Sequence, residues 1–552
     1  MKKIVLLVFG LFLYQTASTQ NLKIEEIQAL TKTGIKKAYS ASIRIWAYDT
    51  VKHQQAGPQF SGVVVSAAGN ILTAAHVNTP GQTYLINFPS GKTGIAVGLG
   101  DIEFTKSPML PDVAMMKMVT TGPWPYAEMG WSAALKLNEP VISISYPETL
   151  NQPLPLVRSG TITNVLNEYG FFQSTCKMEP GDSGGPIFDY LGRVIGLHSA
   201  INGDVDYEVP VDLYRKYWTA LQDKQTYAAL PEREDKIGID PEKIITIPKP
   251  SDLHANVIKT AKEDQKNAVL ISSSQEGKTI EIHGTLIKVN HLTYIVSKSS
   301  MIGTNLLLKL PKGRSIQINV RYRDKSSDLV LLEAVGKLKG GISQDAFVKD
   351  SINEETLGDF LTSVMPGDET SVVGIIGTKN FTLNKVASMG YLGAAVAFAT
   401  PVAITVVQPG SPAGNADFQV GDQLVSINNM QITKPEDYGN TLMKYWQGDT
   451  VKFELMRKGT IFHKEIVLTV RPERPATHPA DLFKGGKSVR RDGFNTVFAH
   501  NADVNPEQCG GPVIDMYGNF YGINIARFSR TSTVAIPAAN ILSFLTTALR
   551  LN

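Results

Sequence analysis

A chain of 552 residues has room for about 3–4 domains, and its hydrophobic fraction of 43% and charged fraction of 19% are those of an ordinary globular protein. A formal net charge of +3 over that length excludes a strongly basic nucleic-acid binder. Two cysteines, Cys176 and Cys509, are too few for a disulfide-built scaffold, so the fold must rest on its apolar cores.

The first segment pairs Lys2 and Lys3 with an apolar run, Ile4 to Tyr14, and the small residues Thr16-Ala17-Ser18-Thr19. This reads as a cleavable secretory signal over 1–19 and predicts export to a periplasm or the exterior. A short buried helix is the competing reading; the two lysines directly before the run argue against it. The run is too short to span a bilayer, for which about 20 apolar residues are needed. No cysteine follows it to carry a lipid.

Asn21 to Tyr39 has apolar residues at helical spacing, predicting a helix that leads into the next region. From Ala41 the pattern turns strand-like in short pieces: Ile43–Ile45, Val63–Val65, Ile71–Leu72, Val141–Ile144, Val194–Leu197. Such strands, separated by Gly, Pro and Asn turns, predict a mainly β protein with antiparallel barrels over 35–221. Residues 222–261, rich in charge and proline, read as a linker.

Three short stretches of the barrel region carry chemistry. A serine hydroxyl is a poor nucleophile until an imidazole takes its proton. Ser183 lies in Gly181-Asp182-Ser183-Gly184-Gly185-Pro186, His76 in Thr73-Ala74-Ala75-His76, and Asp112 in Pro111-Asp112-Val113-Ala114. Asp112 is the candidate that holds the His76 tautomer. Glycines around Ser183 let the backbone turn so that the N–H groups of Gly181 and Ser183 can face one developing oxyanion. Each stretch alone could be a surface turn or a rim histidine; their joint occurrence in this order points to nucleophilic catalysis. No metal or organic cofactor is implied.

A weak internal repeat follows. Gly284–Val289 and Tyr294–Ser300 parallel Ser61–His76, Ser327–Leu332 parallels the surroundings of Asp112, and Pro506–Gly518 parallels Pro180–Gly192. The repeat sets Ser300 in the place of His76 and Cys509 in that of Ser183, while Asp328 keeps the acid. With no imidazole at Ser300, this copy reads as a degenerate site and Cys509 as a structural thiol. Between Asp328 and Cys509 lie 181 residues against 71 between Asp112 and Ser183, an excess of the size of a small domain. The excess contains Tyr391-Leu392-Gly393, Ala403–Val407, Gly410-Ser411-Pro412-Ala413 and Val420-Gly421-Asp422-Gln423-Leu424-Val425-Ser426-Ile427-Asn428.

These motifs resemble the HtrA (Deg) family of exported serine proteases, which join a trypsin-like domain to PDZ domains. The resemblance implies a chymotrypsin/trypsin-like double β-barrel over 35–221, a PDZ domain over 389–472, and a second, split trypsin-like domain formed by 262–388 and 480–552. In the family the PDZ domain follows an intact protease domain, so a split copy is a departure. By resemblance, His76, Asp112 and Ser183 form a catalytic triad acting on polypeptides, among them unfolded exported proteins. Tyr391-Leu392-Gly393 would capture a peptide C-terminus, with Ala403–Val407 as the pairing edge. Lys177, six residues before Ser183 where trypsin-like proteases have the pocket base, and His198, in a segment that resembles the pocket wall of bacterial glutamyl endopeptidases, would converge on the specificity pocket and favour an acidic side chain; the competing reading has Lys177 in solvent and His198 capping a strand end. The function expected is protein quality control or processing. The rival is a non-catalytic peptide-binding adaptor or chaperone on trypsin-like scaffolds. Whether the chain forms a homo-oligomer stays open.

Overall fold

The computed structural model describes residues 23–550 except 104, 107–108, 235–254, 256, 260, 276, 311–312 and 473–477. The signal segment 1–19 and most of the linker at 222–261 lie outside the described residues.

The predicted leading helix is α1, Ile24–Tyr39, with acidic residues in its first turn and Lys36 and Lys37 in its last, both favourable to the helix dipole. Ile27, Ile35, Ala38 and Tyr39 make its buried face. Six strands follow: β1 (Ser42–Asp49), β2 (Gln54–Val64), β3 (Asn70–Thr73), β4 (Thr83–Asn87), β5 (Thr93–Ile102) and β6 (Val113–Met118). They pair in the ring β1-β2-β3-β6-β5-β4 and close on β1. Alternation makes this possible: along β5 buried and more exposed positions take turns from Thr93 to Gly100, so one face fills the barrel with Ile43, Ile45, Val64, Ile71, Ile86 and Met116. Thr226–Tyr227 adds to β5 in parallel, so the unit runs past Leu221.

A second closed barrel holds β7 (Pro140–Ser145), β8 (Leu156–Asn164), β9 (Phe172–Ser174), β10 (Pro186–Phe188), β11 (Val194–Asn202) and β12 (Val205–Pro210), followed by α2 (Val211–Lys216).

The same plan then recurs. β13 (Ala268–Gln275), β14 (Lys278–Val289), β15 (Leu292–Lys298), β16 (Thr304–Lys309), β17 (Ser315–Asp324) and β18 (Leu329–Ala334) form the ring β13-β14-β15-β18-β17-β16, strand for strand the order of the first barrel. A fourth sheet takes β19 (Phe360–Ser363), β20 (Val372–Ile375), β21 (Phe381–Leu383), β28 (Phe494–His500), β29 (Pro512–Asp515), β30 (Phe520–Arg527) and β31 (Thr533–Pro537), with the helix α4 (Ala538–Leu549) behind it. Here β20 and β21 divide between them the role of β8: β20 pairs with β19, and β21 with β28.

Between β21 and β28, where the first unit has only the loop 165–171, the chain makes a separate small unit. It consists of β22 (Ala394–Val396), β23 (Ile404–Val407), β24 (Gln423–Ile427), β25 (Met430–Gln431), α3 (Pro435–Leu442), β26 (Thr450–Arg457) and β27 (Thr460–Val467) around its own core of Leu392, Val402, Ile404, Leu424, Ile427, Phe453 and Leu455. It rests on the surrounding sheets through Trp446, whose ring carries Arg490 at 3.8 Å and Lys385 at 4.0 Å.

The two units, the first a pair of closed barrels and the later one a barrel with an open seven-stranded sheet, are not beads on a string. One apolar cluster joins α1 and the second barrel to Leu357, Phe360, Leu361, Ile375, Phe498 and Val513 of the later unit. Val157 N–H donates to Gly377 O at 2.9 Å, Asn501 Nδ2 to Ser159 O at 2.7 Å, and Lys32 pairs with Asp359 at 2.7 Å. No helix among the described residues is long and apolar enough to cross a membrane.

Candidate active site

His76 is the middle residue of a single 3-10 turn, Ala75–Val77, set directly after β3. Asp112 immediately precedes β6, which pairs with β3; the barrel register therefore brings the two side chains together. Asp112 Oδ1 accepts the His76 backbone N–H at 3.0 Å, and Oδ2 faces His76 Nδ1 at 2.8 Å. Ser199 Oγ donates to the same Oδ2 at 2.5 Å. Burial lowers the affinity of His76 for a proton, but the hydrogen bond and charge of Asp112 outweigh it and raise its pKa. Burial pushes Asp112 up; its bonds to His76 and Ser199 win and hold it below the ordinary carboxylate value.

Ser183 sits on the turn from β9 to β10 of the second barrel, where its carbonyl accepts the N–H of Ser61 of the first barrel at 3.0 Å. His76, Asp112 and Ser183 line one cleft of about 360 Å³, together with Met178, Glu179 and Pro180 from before the nucleophile and Ser199, Ala200 and Ile201 of β11. Ser183 Oγ makes no hydrogen bond with His76 or with any other of the described residues, so the nucleophile and base share the cleft unjoined. The N–H groups of Gly181 and Ser183 also have no partner among the described residues, leaving two donors for an anionic oxygen. Gly181 (φ +96°) and Gly184 (φ +75°) bend the turn. A Cβ on Gly184 would lie 2.0 Å from Thr73 Oγ1, which fixes glycine there.

What sets this turn was not legible in the sequence. Asp182 is buried, and Arg158 of β8 meets it with both arms, Nη1 to Oδ2 at 2.8 Å and Nη2 to Oδ1 at 2.9 Å. Ser145 Oγ adds a bond at 2.7 Å and Glu179 N–H another at 2.9 Å. The only sequence signal was a charge at Arg158 in a strand whose neighbours Leu156 and Val157 are apolar.

Lys177 and His198 do not converge. Lys177 Nζ turns to Asp503 of the later unit at 3.2 Å. His198 is wholly enclosed, with Nε2 on Ser143 Oγ at 2.8 Å, and burial with nearby Arg158 pushes its pKa down to about 3. It is therefore neutral and offers a substrate carboxylate nothing. Glu179, also buried, holds Thr149 Oγ1 as donor, and burial pushes its pKa up to about 7.

The later unit reproduces the backbone of the site with other side chains. Gly184 N–H donates to His198 O and His198 N–H to Gly185 O; Gly510 N–H donates to Asn524 O and Asn524 N–H to Gly511 O. Register sets Ser363 in the place of Ser143 and Val372 in that of Arg158, while Gln508 replaces Asp182. Ser300, mid-turn like His76, donates Oγ to Asp328 Oδ2 at 2.8 Å, and Lys298 pairs with Asp328 at 2.9 Å. Cys509 is fully buried, and burial raises its pKa against the pull of Lys298. Its sulfur lies 3.8 Å from Ser488 Oγ and 3.7 Å from Asn505 O. His500 is turned to Asn524 Oδ1 at 2.8 Å. Among the described residues no imidazole is hydrogen-bonded to the thiol, and both cysteines are free.

In the inserted unit, Leu392 and Gly393 present N–H groups that have no partner among the described residues, with Gly393 at φ +82°. Tyr391 is tied to Thr469 by a pair of backbone bonds. The expected pairing edge at Ala403–Val407 is not free: β23 pairs with β22, and Ile404 exchanges bonds with Gly421 and Asp422. The strand with an open side is β22, facing α3, and there Tyr438 donates its hydroxyl to Ala394 O at 2.6 Å.

A model of the trypsin-like peptidase domain matches residues 60–197 and a model of the PDZ domain matches residues 390–470. The chain is 28% identical over 165 residues to "Putative serine protease HhoA" of a Synechocystis species, covering 28% of this chain and 40% of that protein. It is 22% identical over 407 residues to "Probable periplasmic serine endoprotease DegP-like" of Bartonella henselae, covering 69% of each. To "Serine protease HTRA2, mitochondrial" of Bos taurus it is 27% identical over 168 residues, covering 28% of this chain and 35% of the other. Against HhoA and HTRA2 the match thus spans less than half the relative's length.

Proposed function

We propose that this HtrA-like chain, a trypsin-like peptidase domain combined with a PDZ domain, is an exported serine endopeptidase that cleaves polypeptides in protein quality control or processing. The observation that carries this reading is the cleft in which His76, oriented by Asp112, opens beside Ser183 and two unpartnered N–H groups. In the reaction Ser183 Oγ attacks the peptide carbonyl as His76 Nε2 takes its proton. The carbonyl oxygen, now anionic, is held by Gly181 and Ser183 N–H, each donor worth about 3–4 kcal/mol in comparable sites. His76 then protonates the leaving amine, and water enters by the same route to release the acyl group. The later unit is, on this reading, a degenerate trypsin-like domain split by the PDZ insertion, and the PDZ domain takes peptide C-termini at Leu392 and Gly393.

A fluorophosphonate probe tests the assignment. Covalent labelling of the full chain that disappears in Ser183→Ala, together with loss of casein cleavage and an unchanged melting curve, is the expected outcome. A folded chain that takes no label and still holds unfolded polypeptide would be the non-catalytic adaptor instead.

A further inference from the structure

The wall of the cleft formed by Ser199, Ala200 and Ile201 is the end of β11, and β12 lies beside it with Asp206 directly opposite Ile201. Partners opposite each other in an antiparallel pair project to the same face, so Asp206 stands on the cleft face of its strand. It is buried. Its cation comes from 324 residues further along the chain: Arg530, in the β30–β31 turn of the later unit, places Nη1 3.0 Å from Asp206 Oδ1 and Nη2 3.3 Å from Oδ2. The same Nη1 donates to the carbonyl of Met178, another residue of the cleft lining, at 3.1 Å, and Nη2 to Gly203 O at 3.5 Å. One guanidinium thus lies directly behind the cleft lining, joined to the Met178 carbonyl and to the strand opposite Ile201. It has no exposed side-chain surface.

We propose that Arg530 is a specificity-determining residue of the peptidase site, a plug from the degenerate unit that closes the floor of the pocket beside Ser183 and neutralises Asp206 there. The inference rests on the peptidase reading above for its meaning in catalysis, though the pocket itself is a matter of binding. Both charges are spent on each other, so the site offers neither to a substrate. Arg530 fills the space that a long side chain would need, and small uncharged ones fit in the cleft above it. Asp206 is held from both units: burial pushes it up to about 7, against the charge of Arg530 first and a backbone hydrogen bond at Met178 second.

The test is a gain of function. Arg530→Ala empties the space of one arginine side chain and leaves a carboxylate at its end, the receptor that a substrate arginine or an aryl amidine requires. p-Aminobenzamidine, whose own cation favours the ionised form of Asp206, should bind Arg530→Ala at least about tenfold more tightly than wild type. The gain should vanish in Arg530→Ala/Asp206→Asn. Fluorescence of the bound amidine reads this without turnover, so the result stands whether or not the chain is a peptidase. Peptides varied at the residue before the scissile bond supply the second measurement, on wild-type protein that needs no substitution to fold. Cleavage after small uncharged residues and not after Arg or Lys is expected. Efficient wild-type cleavage after Arg, Lys, Asp or Glu would overturn the proposal, as would a folded Arg530→Ala that binds the amidine no better. Failure of fluorophosphonate labelling overturns the peptidase reading alone.

Discussion

His76 shows how one residue's environment sets a measurable profile. The base must be neutral to accept the Ser183 proton, and Asp112 raises its pKa. Activity should therefore be absent in acid and rise with pH through a midpoint above the ordinary histidine value near 6.5. Asp112→Asn removes the cause of the rise, so the midpoint of the kcat/KM profile should move to lower pH while the plateau falls by about 10⁴-fold. A midpoint that stays put would mean that Asp112 does not act on the base.

Glu179 gives a second titration, read in stability. Its pKa is about 7 in the folded chain against 4.5 as the reference. Because the folded value is the higher one, the protonated carboxyl favours the fold fully below about 4.5 and loses that contribution as pH rises through about 7. Glu179→Gln cannot ionise. Its melting temperature should exceed that of wild type at pH 8, with the difference shrinking toward pH 5. Calorimetry at the two pH values checks this.

At the scale of elements, the strand pattern was partly legible. Short apolar runs announced β1, β2, β3, β7 and β11 but not β4, β5, β8, β9 or β12, and α1 begins within a few residues of the place that its apolar spacing indicated. The order of His76, Asp112 and Ser183 was legible because each sits in a short motif. Partners brought in by long-range register were not. Nothing near Asp182 in sequence points to Arg158, and Asp206 lies far from Arg530. The reading of Lys177 and His198 failed for the same reason: proximity to the nucleophile in sequence says nothing about whether the interior encloses a side chain. The edge of the inserted unit was misplaced by one strand because β22 is only three residues long.

The β8 strand carries an energetic prediction. Arg158→Met would leave Asp182 a buried charge without its bidentate partner, at a cost of about 3–5 kcal/mol. Stability and labelling by the serine probe should fall together, since the same carboxylate fixes the nucleophile turn. Cys509→Ala, by contrast, should leave peptide cleavage nearly unchanged, because no base approaches that sulfur.

At the scale of the whole molecule, the apolar cluster shared by the two units argues that neither is an independent folding unit. A fragment ending near residue 234 would uncover Leu156 of β8 and Ile35 of α1, which pack at Gly377 and Gly358, and would strip Asp206 of Arg530. Such a fragment should be insoluble or molten, as judged by near-ultraviolet circular dichroism. The inserted unit has its own core. In urea, the full chain should therefore show one transition for the barrels and a separable one for residues 389–472.

The position of that insertion has a mechanical meaning. A domain appended at a chain terminus hangs on one tether and can swing about it. Here both ends of the inserted unit are anchored, one at β21 and the other at β28, two strands hydrogen-bonded to each other. Between the insert and β28, moreover, His478 and Pro479 line the cleft that holds Ser183. A body held at two neighbouring points can tilt but not wander. Any tilt on capturing a peptide would pull on a strand pair at one end and on the rim of the cleft at the other. The insert is placed as a lever on a hinge rather than as a bait on a line.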